Sequence, residues 1–241
     1  MQRLLWYLAV IGIVVLTAAA VYNISKTEEA APTAGGLQLP LAGEVIVIDP
    51  GHGGVDGGAS SKSGLLEKDV ALDIGFQLRD YLQEAGALVH MTRESDRDLA
   101  ETDTRRYRQR KLEDLRARKN TINADRVDMF ITLHLNAIPS AGVSGAQTFY
   151  DPKSDDNKAL AHHIQHELVY NLENTTRKAK AIDQIYLLRE ADPPGVLIET
   201  GFLSNAEEAR LLEKPSYQNK IAASIYQGML RYASGESAEN E

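Results

Sequence analysis

Cysteine is absent from the 241-residue chain, and this absence restricts the chemistry that the chain can perform. It excludes disulfides and thiolate metal ligands, so a metal site would have to use His, Asp or Glu. An excess of basic residues is also lacking, because the net charge is −8 at pH 7. Since phosphate backbones are bound by basic surfaces, we expect no nucleic-acid partner.

The longest hydrophobic run, Leu4 to Val21, is 18 residues long and contains no charge. This length is near the lower limit for a membrane-spanning helix and slightly long for the core of a signal peptide. We therefore predict that residues 1–22 form a signal peptide or an N-terminal membrane anchor; a buried core helix is the alternative. Under the first prediction the rest of the chain is exported, either secreted or held at the outer face of the cytoplasmic membrane.

The remaining chain divides into three parts by composition. Residues 23–43 are rich in Pro, Ala, Gly, Thr and other small or polar residues, which predicts a flexible linker. Residues 44–234 alternate between predicted strands and helices and form the predicted catalytic domain. Residues 235–241 are predicted to be an acidic, disordered tail.

The alternation of strands with helices of ten or more residues predicts an α/β fold. We expect a single three-layer domain with a mixed, largely parallel central sheet covered by helices on both faces. Strands are predicted at residues 44–49, 87–92, 128–135, 145–150, 184–188 and 196–199, and helices at 67–84, 157–172 and 215–232.

The charged segment from residue 93 to 119 is predicted to be a loop that leads into a helix. We expect Leu112 and Leu115 to face inward. Its basic residues predict a solvated helix face, with Arg116 or Arg118 in local ion pairs. Contact with anionic wall polymers or lipid head groups is the alternative.

Titratable side chains follow three of the predicted strands. His52 lies in the loop after the first strand, His134 ends the third, and Glu199 ends the last. Functional residues of such sheets lie in loops at strand ends. The glycines around His52 allow the backbone to approach an ion or substrate closely. A phosphate-binding loop is disfavoured because the G-x-G-x-x-G spacing fails at Asp56.

Together with Glu67, at the start of a predicted helix, the two histidines form a coherent hypothesis. Two imidazoles and one carboxylate leave an open position for water on Zn2+, as in catalytic sites. Glu199 follows a buried strand, where low polarity raises the pKa of a carboxyl towards that of a general base. Asn136 is a candidate substrate contact. The alternatives are a helix-capping role for Glu67, a core role for His134 and an ion pair for Glu199.

Four motifs follow one another as in the zinc-dependent N-acetylmuramoyl-L-alanine amidases. They are D-P-G-H-G-G at 49–54, L-E-K-D at 66–69, H-L-N-A at 134–137 and I-E-T-G-F-L-S-N at 198–205. The chain resembles the catalytic domain of that family from about residue 44 to 232. The resemblance implies hydrolysis of the amide between muramic acid and L-alanine in peptidoglycan. It also implies that His52, Glu67 and His134 bind Zn2+ and that Glu199 is the catalytic carboxylate.

A narrower resemblance is to the germination-specific amidases of endospore formers. It rests on N-A-I-P-S at 136–140, on N-L-E-N-T-T-R at 171–177 and on the single N-terminal hydrophobic segment. This resemblance implies a role in the spore cortex, where removal of the peptide from muramic acid precedes formation of muramic δ-lactam.

Regulation and reaction type are less specified by the motifs. Some relatives carry an inhibitory helix near the site, and the stretch between Tyr150 and Gly195 looks too short for one. This indicates control by timing or by a regulatory protein partner.

The alternatives to an amidase are another zinc hydrolase of the cell wall, either a peptide carboxypeptidase or a polysaccharide deacetylase, and a non-catalytic wall-binding protein.

Overall fold

The computed structural model describes residues 39–237. The predicted signal or anchor at residues 1–22, most of the predicted linker and the last four residues of the tail lie outside this range. Within it, no helix is both long enough and apolar enough to cross a membrane. Leu41, inside the predicted linker, is fully buried in the core, so ordered structure begins before residue 44.

A six-stranded sheet forms the centre of the described part of the chain. The strands are β1 (Val45–Pro50), β2 (Leu88–Met91), β3 (Met129–Asn136), β4 (Gln147–Tyr150), β5 (Lys180–Ala181) and β6 (Gly195–Phe202), in the spatial order β2-β1-β3-β6-β4-β5. All neighbouring pairs are parallel except β4 and β6, which are antiparallel. The prediction of a mixed, largely parallel sheet is confirmed.

Helices cover both faces of this sheet, as predicted. They are α1 (Glu67–Glu84), α2 (Tyr107–Ile122), α3 (Asp155–Leu172), α4 (Tyr186–Glu190), α5 (Ala206–Leu212) and α6 (Pro215–Ala233). On one face, Ile48 of β1, Ile131 of β3 and Ile198 of β6 belong to the large core formed with α1, α3 and α6. On the other face, Phe130 and Leu197 belong to a smaller core formed with α2 and α4. Apolar residues on both sides of the central strands are thereby buried.

Helix α1 shows how the sequence pattern specifies the packing. Val70, Ile74, Leu78 and Leu82 recur on one face and are all buried in the large core. Gly86 follows the helix with φ of 86°, a conformation that suits glycine at a helix end.

Three details of the predicted elements are wrong or incomplete. Residues 184–188 were predicted as a strand, but α4 occupies this region, because consecutive Leu187 and Leu188 both enter the smaller core from one helical turn. In so short an apolar run, periodicity cannot distinguish a strand from a helix. Helix α5 and the two-residue β5 were not predicted.

The orientation of α2 also differs from the prediction. Leu112 is 50% exposed, whereas Leu115 packs against the smaller core. The buried residues of α2 are Asp114, Arg118 and Ile122, so a large part of its inner face is charged. The prediction of a solvated position for Arg118 is wrong, although its local ion pair with Asp114 is present, at 2.8 Å.

Candidate metal centre

The ends of three adjacent strands bring the predicted site residues together. β1 and β6 flank β3, and His134 lies opposite Glu199 in the β3–β6 register. β1 ends at Pro50, two residues before His52. Helix α1 begins at Glu67, the remaining predicted member. The carboxyl ends of parallel strands meet at one edge of a sheet, which explains why residues distant in sequence converge here.

His52, Glu67 and His134 form a compact group. One donor atom from each lies within 4.8 Å of the others, which meets the requirement for a shared metal ion. Glu67 Oε1 is 3.1 Å from His52 Nε2 and 2.8 Å from His134 Nδ1. The two imidazole rings meet edge to face, with centroids 5.0 Å apart.

Glu67 is held in place by the backbone as well as by the two rings. Its Oε2 accepts a hydrogen bond from Ala59 N at 2.7 Å, and its Oε1 accepts one from Leu135 N at 3.0 Å. Burial by itself raises the pKa of Glu67, but hydrogen bonds and charge interactions with His134 and His52 outweigh it and lower the pKa below its usual range. Glu67 is therefore ionised and held in one orientation, as a candidate metal ligand must be.

Asp56 lies beside the other ring nitrogen of His52 and was not among the predicted site residues. Its Oδ2 lies 3.0 Å from His52 Nδ1, which leaves Nε2 directed towards Glu67. Burial works against the charged forms, yet the His52 interaction lowers the pKa of Asp56 to about 2, and Glu67 and Asp56 raise the pKa of His52. A carboxylate behind a ligating histidine fixes its tautomer and ring orientation. The sequence signal that could have identified Asp56 is its position four residues after His52.

Glu199 stands beside this group in a different electrostatic state. Burial raises its pKa to about 7; His134 and His52 lower it, and Glu67 raises it. Its Oε2 is buried and accepts no hydrogen bond from the residues that the structure describes. A buried polar atom without a partner in a native site suggests a bound water or substrate. A pKa near neutrality suits a general base.

Two glycines make room for the group. A Cβ on Gly51 would lie 2.4 Å from His134 Cε1, and a Cβ on Gly58 would lie 2.5 Å from Glu67 Oε2. Gly58 also has a φ of 67°. Both positions thus require glycine, because any side chain would displace a member of the group.

The donors fit a single divalent ion of the zinc type. Two imidazole nitrogens and one carboxylate oxygen are ligands that Zn2+ accepts, and three protein ligands leave room for water. The partnerless oxygen of Glu199 lies in the same region of the fold.

Asn136 lies at the end of β3, two residues after His134. The β3–β6 register shifts between these two residues, so simple strand alternation does not carry through this point. Both side chains are partly exposed on either side of buried Leu135. Contact of Asn136 with a substrate stays a prediction.

Two imidazoles and one carboxylate, beside a buried carboxylate of raised pKa, are the groups that a hydrolase with a metal ion uses. The sequence profile of the family described as N-acetylmuramoyl-L-alanine amidase (Amidase_3) matches residues 46–231. The chain belongs to this family.

Two kinds of relatives agree with this assignment. The germination-specific N-acetylmuramoyl-L-alanine amidase of Bacillus subtilis (strain 168) is 53% identical over 231 residues, covering 96% of this chain and 95% of the relative. The CwlD amidase of Clostridioides difficile, solved in complex with the GerS lipoprotein, superposes with a TM-score of 0.78 at 41% identity, covering 80% of this chain and all of that one.

A second solved structure extends the comparison. The catalytic domain of CwlV, an N-acetylmuramoyl-L-alanine amidase from Bacillus (Paenibacillus) polymyxa var. colistinus, gives a TM-score of 0.69 at 27% identity. It covers 79% of this chain and 98% of that domain. The single-domain α/β fold is therefore that of the amidase family.

Proposed function

We propose that the chain is a Zn2+-dependent N-acetylmuramoyl-L-alanine amidase that acts on peptidoglycan. The observation that supports this most is the convergence of His52, Glu67 and His134 on one point. Beside them lies Glu199, whose buried Oε2 has no hydrogen-bond partner among residues 39–237. Membership of the amidase family and the similarity to the amidases of B. subtilis and C. difficile support the same reaction.

The proposed mechanism assigns the proton transfers to Glu199. Zn2+ held by the two histidines and Glu67 would supply a polarised, acidified water and a positive charge for the oxyanion. Glu199 accepts a proton from the attacking water and donates it to the departing alanine amine. Burial raises the pKa of Glu199, which suits a carboxyl that must first accept and then donate a proton. Asn136 is the candidate contact for the substrate.

The relatives and the N-terminal segment support a proposal for the biological setting. We propose that residues 1–22 direct export of the catalytic domain, either as a signal peptide or as a membrane anchor, through the linker that follows. The germination-specific relative supports action on spore cortex, where peptide removal would precede δ-lactam formation. The complex of the C. difficile relative with a lipoprotein supports a regulatory protein partner for this chain.

Product analysis separates the proposed reaction from its alternatives. The purified protein is incubated with peptidoglycan, and the products are identified by mass spectrometry. We expect peptides that begin with L-alanine, with the glycan intact. Release of D-alanine would instead indicate a carboxypeptidase, and release of acetate a deacetylase. Zinc binding with tight adsorption to the wall, but no product with any cortex or vegetative substrate, would indicate a wall-binding protein.

A further inference from the structure

The backbone around His52 is held by two buried arginines that take no part in the proposed proton transfers. Arg93 is 1% exposed and Arg118 is 2% exposed. Arg93 comes from the segment after β2, and Arg118 from α2. Buried arginines are rare unless every charge is compensated, so their presence at this point of the fold requires an explanation.

Their donors are directed at three successive carbonyl groups, those of residues 50, 51 and 52. Arg93 Nε and Nη2 donate to the carbonyls of Pro50 and Gly51, each at 2.9 Å. Arg118 Nη1 donates to Pro50 O at 2.8 Å, and its Nη2 donates to His52 O at 2.5 Å. The D-P-G-H motif is thus bound along its backbone by planar, multidentate donors.

Carboxylates compensate the charge of Arg118. Arg118 Nη1 lies 2.7 Å from Asp49 Oδ1, and Arg118 Nε lies 2.8 Å from Asp114 Oδ2. Asp49 also accepts hydrogen bonds from Thr92 at 2.6 Å and from Thr132 at 2.7 Å. A buried ionic network is weak evidence for stability, because well-packed apolar residues of similar size often stabilise as much or more. A positioning role explains why this network occurs directly behind the site.

The loop needs such support because its conformation is unfavourable. His52 has a φ of 61°, in the left-handed region that is unfavourable for a residue other than glycine. Its neighbour Gly51 lies against the His134 ring so closely that no Cβ fits. Strained residues of this kind persist only where their surroundings fix them. The contact of Arg118 with His52 O acts on the strained residue itself.

We propose that Arg93 and Arg118 are positioning residues for the metal centre. They hold residues 50–52 in the conformation that places His52 Nε2 beside Glu67, and they thereby set the affinity for the metal ion. The inference rests on the proposed Zn2+ site. Both arginines act through the backbone of the loop, since their donors contact carbonyl groups of residues 50–52 rather than the reacting atoms.

Four variants of the full-length protein, purified in detergent, test this inference. Arg118→Lys keeps the charge opposite Asp49 and Asp114, but one ammonium group cannot replace the fork that also reaches Pro50 O and His52 O. Arg93→Lys likewise keeps the charge but removes the two separate donors, Nε and Nη2, that bind Pro50 O and Gly51 O. Leu82→Ala removes core volume from the far part of α1 and is the control for lost stability. Arg79→Met removes a half-buried arginine that pairs with Asp80 and is the control for lost charge.

Zinc affinity is measured for each variant by competition with a chromophoric chelator, at a temperature where circular dichroism shows the variant folded. We expect Arg118→Lys and Arg93→Lys to bind Zn2+ 10–100-fold more weakly than the wild type, the range typical of residues that orient metal ligands. Both controls should keep wild-type affinity, although Leu82→Ala unfolds at a lower temperature.

A second readout reports on geometry rather than affinity. The visible spectrum of the Co2+-substituted protein depends on the arrangement of its ligands, and we expect it to change in both arginine variants and in neither control. Activity should fall in kcat with little change in KM. Wild-type affinity and an unchanged Co2+ spectrum in both arginine variants would overturn the inference while leaving the Zn2+ site intact. A wild type that binds no Zn2+ would instead refute the proposed function.

Discussion

Glu199 shows most clearly what a single residue contributes to the site. It follows a buried strand, and burial in a group of titratable side chains raises its pKa to about 7. The sequence position alone predicted this direction, because a carboxyl at the end of an apolar strand is poorly hydrated. The value depends also on Glu67, His52 and His134, whose proximity is a property of the fold.

The raised pKa predicts a pH-dependent stability for the metal-free protein. Folded Glu199 keeps its proton up to about pH 7, whereas the unfolded chain releases it near 4.5. The folded state therefore binds more protons between these values, and the free energy of unfolding falls as pH rises through this range. Glu199→Gln should be more stable than the wild type at pH 8, by up to roughly 3 kcal/mol, and by no more than about 1 kcal/mol at pH 5.

Urea unfolding of the metal-free proteins at the two pH values measures this difference. Glu94→Gln, which replaces an exposed glutamate, is the control and should change stability little at either pH. A Glu199→Gln effect of the same size at pH 5 and pH 8 would contradict the burial of an ionisable carboxyl at this position.

Gly58 and Gly64 form a matched pair that tests the space around Glu67. Both have positive φ, 67° and 93°, so alanine should strain both backbones by about 1 kcal/mol. Only at Gly58 would the new Cβ meet Glu67 Oε2, at 2.5 Å; at Gly64 it would meet no atom within 4 Å. We expect Gly58→Ala to weaken Zn2+ binding at least tenfold and Gly64→Ala to leave it unchanged, as measured by chelator competition. Equal affinities would mean that Glu67 does not bind the ion.

At the scale of elements, the strength of the periodic pattern decides how much the sequence reveals. Helix α1 begins and ends at the predicted residues, because its apolar residues recur on one face and its end is marked by glycine. α2 has no such stripe, since its inner face carries Asp114 and Arg118 towards the His52 loop. Leu112 was consequently assigned to the wrong face. α4 was missed because five residues are too few to show a period.

The observed orientation of α2 predicts the effects of two substitutions. Leu112→Glu replaces a half-exposed side chain and should change the free energy of unfolding by less than about 0.5 kcal/mol. Ile122→Ala leaves a cavity in the smaller core and should cost about 2–5 kcal/mol. Urea denaturation compares the two variants. A larger loss for Leu112→Glu would indicate that α2 is rotated relative to the structure.

At the scale of the whole molecule, the site depends on a topology that spans most of the chain. β1, β3 and β6 contribute three neighbouring strand ends, although His52 and Glu199 are far apart in sequence. The alternation of elements predicted the fold class, and the motif order predicted the group that converges. Distances, the buried arginines and the role of Asp56 could not be predicted, because they depend on packing between elements that are distant in the chain.

The start of the folded domain gives a prediction at this scale. Leu41 is fully buried in the large core, whereas Leu39 is 46% exposed. Leu41→Ala should therefore destabilise the protein by about 2–5 kcal/mol, and Leu39→Ala by less than about 1 kcal/mol. Thermal or urea unfolding measures both. Equal effects would place the domain boundary at residue 44, where the composition predicted it.

The proposed Zn2+-dependent amidase is tested most directly by restoring metal to a metal-free protein. Peptidoglycan is incubated with chelator-treated protein, with the same protein after addition of one equivalent of Zn2+, and with Zn2+-loaded Glu199→Gln. We expect peptides headed by L-alanine from the restored wild type and none from the metal-free protein, whereas Zn2+-loaded Glu199→Gln should release them about 10²–10⁴-fold more slowly. Full activity in the metal-free protein would contradict the metal centre, and full activity in Glu199→Gln would contradict the assignment of the base.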